Sequence, residues 1–190
     1  MSAHAGEVIE STTRTYVALS PYVGQAPSFG TFVKTDTQPV VYGVVCEIIT
    51  ESREPGRRAT ALGMPLEELR REQPQIFEIL QTEFHVLTIA HSQNGRMRFS
   101  LSPVPPSIHS FVYLCTDKEV SGLSSEDFYL RTIASAPNVP VDELLVASLG
   151  FAQEARSGDT DYIVRMGKSL VRIFKDDYER LSAVMRRLVG

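Results

Sequence analysis

Val40-Val41-Tyr42-Gly43-Val44-Val45-Cys46-Glu47-Ile48-Ile49-Thr50 is the stretch on which the fold turns. Its even positions, Val40, Tyr42, Val44, Cys46 and Ile48, are all apolar, while the odd positions are mixed and include Gly43 and Glu47. A period of two predicts a strand with the even set on one buried face. Gly43 inside that strand predicts a bend or a bulge, the device by which a sheet curls into a barrel.

Working upstream, residues 31–34 and 15–19 read as short strands. Between them stand Ser20-Pro21-Tyr22-Val23-Gly24, Pro27 and Gly30, which is turn chemistry. Residues 1–12 are polar and predicted to fray. They carry neither a basic start nor an apolar core, so no signal peptide is expected.

Downstream, 51–61 is charged and irregular, and a helical insertion is predicted over 64–81. Pro65 suits a first helical turn and Pro74 separates two short segments, with Leu66 and Leu69 on one and Ile76, Phe77, Ile79 and Leu80 on the other. Residues 84–91 and 96–101 read as a hairpin around Asn94-Gly95, a pair that favours the positive φ angles of a tight turn. His85 and His91 share a parity on the first arm. Pro103, Pro105 and Pro106 predict an extended crossing, and 110–115 a last strand. About six short strands with Gly and Pro punctuation predict a small β-barrel over 12–118.

After residue 120 the period becomes helical. Ser124 with Asp127 resembles a capping box opening a helix to about Ser135. Pro140, Asp142 and Glu143 open a second helix, which Ser157-Gly158 ends. A third starts near Asp159 and runs almost to the end. Its seam is Ile163, Met166, Leu170, Phe174, Tyr178, Leu181, Met185 and Leu188. The predicted class is α+β: a barrel with a helical insertion, then a helical region over 119–190.

The chain has 190 residues, a net charge of −4 and 43% hydrophobic residues. A chain of this size buries roughly 70% of its unfolded surface and needs no metal or disulfide to fold. The acid balance excludes a surface wholly devoted to phosphate binding, though not a local basic patch. Cys46 and Cys115 lie in apolar runs and read as small buried hydrophobes. No run of ~18 apolar residues exists, so no membrane span is predicted, and the expected location is the cytoplasm.

No catalytic constellation is legible. Gly167-Lys168-Ser169 looks like the end of a phosphate-binding loop, but the position of the leading glycine holds Tyr162 and the tripeptide sits in a helical pattern. There a small glycine more simply allows two helices to approach. His85, His91 and His109 lack the spacing of a metal site. The pairs Glu126-Asp127 and Asp176-Asp177 point about 100° apart on a helix and read as solvated faces or caps. Arg53, Arg57, Arg58, Arg70 and Arg71 form the one candidate interaction patch, with nearby glutamates as partners. No catalytic residue, cofactor or metal is expected.

Phe29-Gly30-Thr31-Phe32-Val33-Lys34 and Val41-Tyr42-Gly43-Val44-Val45 resemble the HAS-barrel. This is the N-terminal barrel of HerA-type DNA-translocating ATPases and of the α and β subunits of rotary ATP synthases. A wider pattern resembles stand-alone HAS-barrel proteins known from cyanobacteria, and covers most of the chain from about residue 12. Its pieces are Glu54-Pro55-Gly56-Arg57-Arg58, Gln73-Pro74-Gln75-Ile76-Phe77, Ile108-His109-Ser110-Phe111-Val112-Tyr113, Asp142-Glu143-Leu144-Leu145 and Asp176-Asp177-Tyr178-Glu179-Arg180-Leu181. The resemblance implies a barrel that meets neighbouring subunits or a partner protein. The chain departs from the ATPases in that no RecA-like core follows the barrel, so ATPase activity is not implied. Two expectations follow: an assembly or adaptor module with a protein partner or self-association, or a nucleic-acid-associated accessory factor using the arginine-rich insertion.

Overall fold

The structure, a computed structural model, describes residues 4–54, 56, 58–157 and 159–189. Six strands close an antiparallel barrel. β1 (Gly6–Ser11) pairs with β2 (Thr15–Leu19), and β2 with β5 (Leu80–Gln93). β5 pairs with β4 (Val40–Ser52), β4 with β3 (Phe32–Thr35), β3 with β7 (Phe111–Leu114), and β7 returns to β1. A seventh strand, β6 (Arg96–Arg98), extends β5 outside the closed ring. β1 occupies part of the stretch expected to fray. It buries Gly6 and Val8, while Glu7 and Ile9 stay partly exposed, and its stability comes from backbone pairing with two neighbours.

β4 buries both faces over Val41 to Cys46, not the even face alone. Val41 and Val45 join Val8, Tyr16, Val33, Phe84, Val86 and Val112 inside the barrel. Tyr42, Val44 and Cys46 point the other way, into a core shared with the C-terminal helices. A strand covered on both sides reads as a near-continuous apolar run. That is why Val41 and Val45 are apolar too. Register shifts at Tyr42/Gly43 and Val45/Glu47 confirm the bulging expected around Gly43. The hairpin turn is as predicted, with Asn94 at φ 53° and Gly95 at φ 73°. Its second arm is shorter, ending at Arg98.

The insertion forms α1 (Leu66–Glu72) and α2 (Gln75–Glu78). The C-terminal region holds α3 (Asp117–Leu123), α4 (Phe128–Ala134), α5 (Val141–Glu154), α6 (Thr160–Ile173) and α7 (Tyr178–Val189). The capping box sits one helix earlier than expected. Thr116 accepts from the backbone of Glu119, and Glu119 reaches back to the backbone of Thr116. Ser124 instead ends α3 and its hydroxyl donates to the Val120 carbonyl. The long last helix is two helices. Asp177 caps α7 by accepting from the Arg180 backbone, and Tyr178, expected in the seam, is 80% exposed. Val184 takes its place in the core.

The helices cover the outer face of the chain's own barrel. Leu123, Leu130, Leu144, Leu149, Tyr162 and Leu170 are fully buried against Phe32, Tyr42, Leu87 and Ile89. Arg156 ties this layer together. Its guanidinium donates to Ser124 Oγ and to the carbonyls of Ala152 and Ser121, and stacks 4.1 Å over the Tyr162 ring. The Tyr162 hydroxyl meets that of Tyr129 at 2.8 Å. Among the described residues, no helix is long and apolar enough to cross a membrane.

Candidate functional site

Two features stand out from the core. The first is an arm. β4 and β5 form one long hairpin in which Ser52 faces Leu80, and residues 53–79 are its tip. The segment next to β2 bonds β5 as far as Thr82, so only the pairs Glu51–Gln81 and Ser52–Leu80 lie beyond it, and the tip leaves the barrel rim on a short two-stranded stalk. None of the described residues between Ser52 and Gln81 is buried. Yet the arm is not polar. Leu62 and Leu66 are exposed, and Leu69, Ile76, Phe77 and Ile79 are only partly covered. Leu66 and Leu69 sit three apart in a helix, as a stripe meant for a neighbour does.

The arginines predicted to form a patch all belong to this arm or its base. Arg53 follows β4, where its backbone N–H bonds the Ile79 carbonyl at 2.8 Å. Arg58 lies in the irregular stretch after it, and Arg57 falls outside the described residues. Arg70 stacks 5.2 Å over the Phe77 ring, and Arg71 pairs with Glu72 at 3.3 Å. The five arginines of this region are outnumbered by six glutamates, Glu51, Glu54, Glu67, Glu68, Glu72 and Glu78. The arm is therefore not a net cation.

The second feature is a cleft of about 1000 Å³ between the barrel's outer face and the α4–α5 connection. Phe29, Leu87, Ile89, Pro137, Val139 and Pro140 supply apolar wall, and Arg14, Glu47, His85 and Asn138 a polar rim. A space of this size and lining can take a small molecule or a few side chains of a partner. His85 lies 3.8 Å from Glu47 and 3.4 Å from Glu83. Cys46 also lines the cleft. Burial pushes its thiol up to about 11, so at neutral pH it is a protonated, weakly nucleophilic group. No motif could have announced this cleft, because its polar rim is assembled from the β1–β2 turn, β4, β5 and the α4–α5 connection, which are far apart in sequence.

The histidines are dispersed. The register shift between Gly43 and Tyr42 skips Ile89 on β5, so His85 and His91 lie on different sides of the sheet despite their shared parity. His91 is buried with Nδ1 3.1 Å from the Ser100 carbonyl, and His109 is exposed beside Glu7. Among the described residues, no group of three or more His, Cys, Asp or Glu is placed to hold a metal ion. Gly167-Lys168-Ser169 lies inside α6, where Gly167 faces Met185: a Cβ there would come within 3.0 Å of the Met185 methyl. Glycine at this point lets α6 and α7 approach. No family model matches the chain, and no curated protein matches it.

Proposed function

We propose that this protein is a non-catalytic association module of the HAS-barrel type, whose hairpin arm docks into a partner protein. The reading rests on one observation above the others: the arm carries a stripe of leucine, isoleucine and phenylalanine side chains with no core of its own beneath them. Apolar area left in water forgoes about 25 cal/mol per Å². A short amphipathic helix held out on a stalk regains that energy by entering a groove on another chain. The closed barrel, covered on one side by its own helices, serves as the rigid base. This division of labour fits what the resemblance implies for a barrel without an attached ATPase core.

The test is capture from native lysate by the purified chain and by a variant carrying Leu66→Glu and Phe77→Glu. Leu66 is exposed, and Phe77 is half-buried under Arg70 of the arm and outside the buried core, so the variant should keep the circular dichroism and melting temperature of the parent. Capture of a defined protein, retained at high salt and lost in the variant, is the expected result. Equal capture by both chains removes the arm from the argument. If the captured species is nuclease-sensitive and is lost with Arg58→Ala, Arg70→Ala and Arg71→Ala, the nucleic-acid reading replaces this one.

A further inference from the structure

A second concavity, of about 570 Å³, opens between the start of α4 and the outer face of α6. Its walls bear four cations, Arg131, Arg165, Lys168 and Arg172, against two carboxylates, Glu126 and Asp127. That excess is local, since the whole chain carries −4. Arg165, Lys168 and Arg172 follow one another at intervals of three and four, which places them on one helix face. Arg131 comes from a different helix and converges on the same space.

The acidic groups do not neutralise this cluster. Arg131 donates to Asp127 Oδ1 at 3.2 Å and Oδ2 at 2.8 Å, and Arg172 brings Nη2 to 3.8 Å from the same Oδ2. Two guanidinium groups thus share one carboxylate. The hydrogen bonds from Arg131 hold Asp127 below the usual carboxylate range, so it is already ionised at neutral pH and has no more charge to give. Arg165 and Lys168 have no acidic partner among the described residues. Ser169, nearly fully buried, accepts from Arg172 at 2.9 Å and fixes that guanidinium against the wall.

We propose that this cleft binds a small anion of the phosphate class, such as pyrophosphate or a phosphomonoester. Two uncompensated cations match a dianion, and guanidinium groups present paired N–H donors that suit phosphoryl oxygens, with the lysine adding a point charge. The positive zone is bounded. Asp159 and Asp161 precede it and Asp176 and Asp177 follow it, all exposed, so a long phosphate backbone would meet repulsion at both ends of α6. The recognition is by side chains. The amides of Gly167-Lys168-Ser169 are engaged in the helix, whereas Lys168 and Ser169 line the cleft. This site is separate from the arm, and its fate does not depend on the association reading.

Titration calorimetry of the full chain with pyrophosphate, inorganic phosphate, a sugar phosphate and sulfate, each at low salt, tests it. One-to-one saturable binding of at least one phosphate compound is expected. Lys168→Gln and Arg165→Gln should each weaken that binding by about 10-fold or more, as for loss of a hydrogen bond to a charged group. Both residues are exposed, so an unchanged melting curve shows that the variants fold. Amide shifts in α6 on adding pyrophosphate provide a second readout. No saturable heat and no α6 shifts overturn the proposal. So do equal affinities in the variants, or sulfate binding as well as phosphate compounds do. A single-stranded oligonucleotide that binds more tightly, with a steep salt dependence, overturns it in favour of a nucleic-acid surface.

Discussion

Gly43 shows how much one residue specifies. It sits opposite Thr88 where β4 and β5 change register, and a Cβ built there would lie 2.3 Å from Val86 Cγ1 and 2.7 Å from the Leu87 carbonyl oxygen. Val86 is fully buried in the barrel interior and the carbonyl is backbone, so neither can yield cheaply. Gly43→Ala is expected to cost about 3 kcal/mol, the upper end of overpacking penalties, as measured by urea unfolding. A loss below ~1 kcal/mol would mean that the barrel is not closed tightly at this point. The glycine was legible in the sequence as a break in an alternating run. The role of its odd-numbered neighbours was not, because alternation reports a half-buried strand and gives no sign when the second face is covered by helices distant in sequence. The five arginines are legible from their clustering along residues 53–71. Their glutamate neighbours decide their net field, and side-chain spacing alone does not tell which of them pair.

At the scale of elements, helix ends separate what local sequence determines from what packing determines. Thr116 and Glu119 form the true capping box, and Ser124 and Asp127 have the same spacing but not the geometry. The difference is tertiary: Glu119 also meets Lys34 of β3 at 2.5 Å, so α3 begins where the barrel can hold it. The break between α6 and α7 is likewise hidden, because a seam of threes and fours continues through Phe174 and Tyr178 whether or not the backbone does. Asp177 was the available signal, as a capping residue just before Tyr178. The Lys34–Glu119 contact makes a prediction about acid. Burial by itself would raise the Glu119 carboxyl, but the hydrogen bonds from Lys34 and Thr116 outweigh it and hold the group below its ordinary value. A depressed folded-state value contributes stability above the unfolded one, and that contribution disappears as pH falls through the folded one. Burial likewise works against charge on Lys34, and the bond to Glu119 outweighs it and raises the amine, so its contribution is complete below the ordinary lysine value and is lost as pH rises from there through the raised one. Glu119→Gln is therefore expected to cost about 1 kcal/mol at neutral pH, from cap and ion pair together. The gap between wild type and variant should close as pH drops below the normal carboxylate range. A gap that stays constant down to strongly acidic solution would show that the charge of Glu119 does not matter.

The molecule as a whole divides into a part that is packed and a part that is presented. Barrel interior and helical layer share β4 and β5 between two apolar clusters, so the folded body is a three-layer stack of barrel wall, barrel core and covering helices. The described residues of 53–79 contribute nothing buried to it. Their removal is the sharpest global test, and the register provides the junction: Ser52 faces Leu80, and the next pair outward is Arg53 with Ile79. Joining Ser52 to Leu80 through Asn-Gly supplies the two-residue turn that such a hairpin favours. If the arm only displays its apolar stripe, this shortened chain should melt within about 3 °C of the parent, the shift expected for less than roughly 1 kcal/mol in a chain of this size. Its Cys46 thiol should stay as slow to react with a thiol reagent as in the parent, because the barrel's outer face is unchanged. A fall of ~10 °C or more would place the arm's leucines and phenylalanine against the body, and the stripe would then be part of the core. The two results also separate the arm's roles in folding and in docking. A chain that keeps its melting temperature and loses its partner has lost a contact surface and nothing else, whereas one that loses both had needed the arm to fold.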